Sequence, residues 1–189
     1  MKTFFACLAL LLVTTAFRKA PVLYQANPAA SQLTWTGHAE VGSWAPSGTM
    51  KLQAGRFEYG GSTLRNGRFE FDMRSIAHEQ AQLAEHLKAA DFFNVAKHPT
   101  AVFLLREAAN GKARGELTIK GVTKPIEFPA TVERRPDGNL RVRGTATIDR
   151  TEFGVKYNST SFFKDLGDQA IRNDFQLAFD VLALPAKAQ

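Results

Sequence analysis

From Tyr24 onward, apolar and polar residues alternate in short runs separated by turn-forming dipeptides. Leu33, Trp35 and Gly37 alternate with Thr34, Thr36 and His38, and Met50 and Leu52 with Thr49 and Lys51. Phe57 and Tyr59 stand among Arg56 and Glu58, and Phe69, Phe71 and Met73 alternate with Arg68, Glu70 and Asp72. Further runs cover 102–106, 115–119, 126–132, 140–148 and 175–181. Successive side chains of a strand point to opposite faces, so a period of two predicts strands with one dry and one wet face. Asn66-Gly67, Asn110-Gly111 and Pro136-Asp137-Gly138-Asn139 predict three hairpins, because tight turns need residues that tolerate positive φ.

About eight strands follow, and short turns make neighbours antiparallel. Closing such a sheet into a barrel removes its exposed edges, which favours a barrel over a two-sheet sandwich. Two segments break the alternation. Residues 79–90 place Leu83, Ala84, Leu87 and Ala90 at helical spacing, and residues 151–174 hold Ser161-Phe162-Phe163-Lys164. Both read as excursions from one end of the sheet. The expected fold is all-β: an eight-stranded antiparallel barrel with one or two short helical excursions at one end.

The alternation also nominates an interior. Trp35, Met50, Leu52, Phe57, Phe69, Phe71 and Met73 fall on the dry face of the first strands. Leu117, Ile119, Ile126, Phe128, Phe175, Leu177 and Phe179 do so on the later ones. An eight-stranded barrel either fills with such side chains or leaves room for one small ligand, and both readings stay open at this level.

Composition sharpens this picture. Apolar residues make up 44% of the 189 and charged residues 22%, as in an ordinary folded domain. Phe supplies 15 of the aromatic residues, against three Tyr and two Trp, so the interior is rich in rings without a polar handle. Lys2 and the apolar run Phe4 to Val13 resemble a secretory signal, too short to span a bilayer, with cleavage expected after Ala16. That assigns residues 1–16 to a cleaved signal and 17–189 to a single domain. Cleavage also removes Cys7, the only cysteine, so the mature chain has no disulfide.

No catalytic constellation emerges. His38, His78, His86 and His98 lack the spacing of a metal site, and no nucleophile elbow or phosphate-binding loop is present. No metal, cofactor or catalysis is expected. The net charge of +6 gathers partly in Arg134-Arg135, Arg141, Arg143 and Arg150. A nucleic-acid sheet would interleave exposed aromatics there, and none occur. The basic stretch is expected either to be a solvated strand face or to form a rim that attracts a membrane surface.

The stretch 86–103, His-Leu-Lys-Ala-Ala-Asp-Phe-Phe-Asn-Val-Ala-Lys-His-Pro-Thr-Ala-Val-Phe, resembles the signature of the YceI-like family. Gly115-Glu116-Leu117-Thr118-Ile119-Lys120-Gly121-Val122-Thr123-Lys124-Pro125 and Asp149-Arg150-Thr151-Glu152-Phe153-Gly154-Val155 agree with it, in the family's order. The resemblance implies a lipocalin-like barrel, periplasmic or secreted, that binds a polyisoprenoid or similar long-chain lipid in its lumen. It places Phe92 and Phe93 at a helical excursion near the barrel mouth, and Leu117, Thr118 and Ile119 on a lining strand. The segments 41–49 and 157–163 depart from the common pattern, so the ligand's identity does not carry over. A non-catalytic envelope stress or scaffold barrel with a filled core is the rival expectation, and a homodimer is left open.

Overall fold

The computed structural model describes residues 20–186. The expected signal segment and Cys7 lie outside the described residues. Nine strands form one antiparallel sheet among them: β1 (Val22–Ala26), β2 (Gln32–Thr36), β3 (Ser47–Gly60), β4 (Thr63–Ala77), β5 (Thr100–Ala109), β6 (Lys112–Ile119), β7 (Val122–Arg134), β8 (Leu140–Asp149) and β9 (Asp174–Pro185). β1 and β2 each pair with both β3 and β9, so they are two halves of one stave, and the β3–β4 pairing helps close the ring. The result is a closed eight-stave barrel, as the alternation predicts. The stave breaks at Pro28, which cannot donate a ladder hydrogen bond. A 3-10 turn, Pro28–Ala30, fills the gap, with Asn27 Oδ1 accepting from the Ala29 and Ala30 amides.

Asn66-Gly67 corrects the sequence expectation. It lies inside β4, where Asn66 adopts φ 51° in a β-bulge that shifts the register against β3 between Arg56 and Glu58. A bulge demands the same positive φ as a hairpin turn, so the dipeptide alone does not distinguish them. The hairpin instead turns at Gly61 and Ser62, with φ 58° and 68°. A further tight turn, Lys120-Gly121, joins β6 to β7 at φ 52° and 77°. Lysine gives little turn signal; here its Nζ donates to the Phe92 carbonyl at 2.8 Å.

Alternating strand direction puts the short turns at 61–62, 110–111 and 135–139 at one end. The longer connections 37–46, 78–99 and 150–173 gather at the other, with the 120–121 turn. The 78–99 connection holds α1 (Ala81–Lys88), shorter than the 79–90 helix expected. The 150–173 connection contains only 3-10 turns, so one helical excursion forms rather than two. The short-turn end is a packed floor. Phe57 is fully buried, its ring 5.9 Å from Tyr24 and 5.8 Å from Phe69, and Tyr24 donates to the Gly138 carbonyl at 3.0 Å.

The outer face carries cross-strand ion pairs, including Arg65–Glu107 at 3.0 Å, Arg106–Glu116 at 2.7 Å and Arg114–Glu127 at 2.7 Å. Arg141 and Arg143 share Asp180 at 2.6 and 3.1 Å on this face, while Arg134-Arg135 enters the floor turn. Arg141 and Arg143 therefore belong to a paired outer wall and not to a rim around the mouth. Donation from Arg141, then from Arg143, holds the Asp180 carboxyl below its ordinary range. A lowered folded-state pKa gives stability that is present above the unfolded value and lost as pH falls through the folded one. Asp180→Asn is thus expected to flatten the loss of stability below about pH 4, read by denaturant titrations across the acid range. An acid limb as steep as the parent's would refute that role.

Candidate ligand cavity

The barrel is hollow because several inward positions carry no side chain. Gly115 and Gly144 sit on the inner faces of β6 and β8, and a Cβ at either would strike backbone oxygen as well as a neighbouring ring. Phe103 lies against Gly115 and Phe179 against Gly144, while Trp35 lies against Gly48 in the same way. Rings pressed to the wall at glycines leave the axis open.

Two chambers that share a wall result. The mouth chamber has a cavity volume of about 110 Å³ and the floor chamber about 60 Å³; Phe71 and Leu177 wall both and form the waist. At about 10–15 Å³ per water-sized group, the two hold about a dozen such groups. Their walls are almost wholly hydrocarbon. Trp44 lines the mouth chamber while remaining half exposed, so the chamber reaches the surface beside the 37–46 loop.

Sequence-nominated residues distribute unevenly over this space. Trp35, Met50, Phe71, Met73, Leu117, Ile119 and Phe175 line the mouth chamber, as do Phe92 and Phe93 from the turn after α1. Phe69, Phe128 and Phe179 line the floor chamber. Phe57 walls neither, because it is packed into the floor below, and Ile126 and Leu52 also stand outside both linings. The alternation in the sequence held further lining residues that were not nominated. Leu33, Phe103 and Leu105 face the floor chamber, and Ile148 the mouth chamber, each in phase with its strand.

One charged side chain breaks the hydrocarbon wall from within. Arg150 follows Ala146 and Ile148 in the inward phase at the mouth end of β8 and is 3% exposed. Its Nε donates to the Arg172 carbonyl, one terminal nitrogen to Val155 and the other to Ile171, each at 3.0 Å. Its guanidinium lies 5.6 Å from the Phe92 ring centre, tying the two excursions together. Burial lowers its pKa from the usual value, with Asp149 opposing, but a guanidinium stays charged. The Trp35 Nε1 and His86 Nε2 atoms are buried without a hydrogen-bond partner, and both side chains line this same chamber. Among the described residues no cluster of three His, Cys, Asp or Glu side chains could hold a metal ion.

The YceI-like domain model matches residues 24–183. The chain belongs to this family. Its resemblance in sequence extends to a UPF0312 protein of Pseudomonas aeruginosa, 38% identical over 91 residues, 43% of this chain and 48% of that protein. A UPF0312 protein of Pseudomonas syringae pv. tomato is 30% identical over 121 residues, 58% of this chain and 63% of that protein. The chain thus spans about half the length of the first of these curated relatives and less than two thirds of the second. Among solved structures, Burkholderia cenocepacia BcnA superposes with TM-score 0.67 at 20% identity, covering 84% of this chain and 99% of that one. A polyisoprenoid binding domain from Saccharophagus degradans, implicated in plant cell wall breakdown, gives TM-score 0.65 at 12% identity, over 87% and 99%. These structural likenesses concern the fold of this YceI-like barrel.

Proposed function

We propose that this YceI-like protein is an exported, non-catalytic binding protein that holds the apolar chain of a polyisoprenoid, quinone or similar amphiphilic lipid in its lumen. The observation that carries the reading is the two-chamber hydrocarbon cavity meeting at Phe71 and Leu177. Water inside such walls finds few partners, whereas a hydrocarbon chain leaves water behind on entering. At roughly 25 cal/mol per Å² of apolar surface, each isoprene unit contributes on the order of a few kcal/mol before the costs of ordering. The neighbouring polyisoprenoid binding domain of Saccharophagus degradans supports the same ligand class. Export to the periplasm or beyond is supported by Lys2 and the apolar run from Phe4 to Val13.

Mass spectrometry of a solvent extract from purified protein tests the reading. A stoichiometric long-chain amphiphile is expected, or stoichiometric uptake of added farnesol by protein purified empty. Protein that arrives empty and takes up none would favour a scaffold barrel acting through its surface.

A further inference from the structure

We propose that Arg150 makes the mouth chamber selective for amphiphiles with an anionic oxygen head group, phosphate or carboxylate; this rests on the lumen holding the apolar tail. The argument begins with the charges on the chamber wall. Three of its residues, Arg150, Arg172 and Asp174, carry full charges. Arg172 and Asp174 form a forked ion pair, with contacts of 2.9 and 3.1 Å, and cancel each other. Arg150 has no carboxylate within ion-pairing distance among the described residues. Its neighbour Asp149 turns Oδ1 toward the Thr151 amide and hydroxyl instead, at 2.8 and 2.6 Å. One positive charge is therefore left without an ion pair beside an apolar cavity.

A buried charge is normally paired or neutralised, because removing it from water is expensive. Three carbonyls relieve part of that burden through their dipoles. A guanidinium has five N–H groups, and three hydrogen bonds leave two of them for another acceptor. The unpartnered Trp35 Nε1 supplies a further donor on the same chamber. An oxyanion entering at the mouth would meet a cation in low dielectric, where charge-assisted bonds are strong, while its tail runs past the waist. A latch that merely ties residues 150–155 to 171–173 would need the same three carbonyl bonds but would give no preference among heads.

The test compares farnesyl phosphate with farnesol, below their aggregation limits, by calorimetric titration of the full chain. The tails are identical, so farnesol reports the lumen alone and the ratio reports the head. Farnesyl phosphate is expected to bind at least about tenfold tighter, the scale of one charge-assisted bond. The ratio should persist in about 0.5 M salt, which screens exposed cations but not a buried one. In Arg150→Gln the ratio should fall toward one, whatever change farnesol affinity itself shows. If that variant does not fold, the salt comparison on the parent protein decides alone. Equal binding of the two probes, tighter binding of farnesol, or a preference that vanishes in salt would overturn the head-group assignment and leave the tail reading intact. Failure of both probes to bind would overturn the tail reading, and this one with it.

Discussion

Phe71→Asp is expected to lower farnesol uptake by at least about a hundredfold, the largest effect of any single change in the lumen. Phe71 walls both chambers, and its β4 position pairs with Leu52 on one side and Ala101 on the other. A carboxylate there must either keep its water, which plugs the waist, or lose it, which costs several kcal/mol when no partner is at hand. Either outcome matches or exceeds what one isoprene unit contributes, so the tail is shut out of the floor chamber. Stability falls as well, because the lost ring and the new charge both act on the folded state. Phe71→Ala separates these effects. It removes the ring without adding charge and is expected to destabilise the barrel by about 2–3 kcal/mol. Farnesol affinity should stay within a few-fold of the parent, because the waist becomes wider and remains apolar. Thermal melts and farnesol titrations on both variants supply the measurements. A folded Phe71→Asp protein that binds farnesol like the parent would remove the waist from any role in uptake.

Much of this was legible in the residues, and the reasons for the rest are physical. Alternation is a local signal tied to strand geometry, so the inward set from Trp35 to Phe179 came out on the interior side of the barrel. Phe92 and Phe93 were placed at the mouth by resemblance, since no period of two or 3.6 governs a turn. The bulge at Asn66 and the break at Pro28 depend on what the facing strand does, which a single run of sequence does not state. Arg150 is different. It stands in the inward phase after Ala146 and Ile148, so a charge on a dry position is visible, but along the sequence it groups with Arg141 and Arg143 as one basic stretch. Those two occupy the opposite phase and face out to Asp180. Hollowness was hidden for another reason. Phenylalanine fills a barrel or lines it according to whether its ring meets a side chain or a glycine across the sheet. That pairing needs the register, Phe103 with Leu117 on one step and Leu105 with Gly115 on the next.

Gly115→Val should accordingly close the floor chamber and destabilise the fold by about 3 kcal/mol or more, the upper range for overpacked cores. A Cβ at this site would lie 2.2 Å from the Leu104 carbonyl oxygen and 2.7 Å from Phe103 Cε2. The carbonyl belongs to the β5 ladder and has little freedom, so the ring must move. Phe103 stands in a belt of rings around the chamber, 6.4 Å from Phe69 and 5.3 Å from Phe128, with Phe128 in turn 5.7 Å from Phe179. Tilting one member of the belt toward the axis takes space from the cavity and breaks contacts on both sides. Gly138→Ala makes a useful contrast. Its φ of 82° strains any side chain, yet nothing lies within 4 Å of the added Cβ. The expected cost there is about 1 kcal/mol, with tail binding unchanged. Denaturant midpoints and farnesol affinities for the pair distinguish the two kinds of glycine: one that shapes a turn, and one that keeps the lumen open. A Gly115→Val protein with parental stability and affinity would mean that the rings do not need the bare strand behind them.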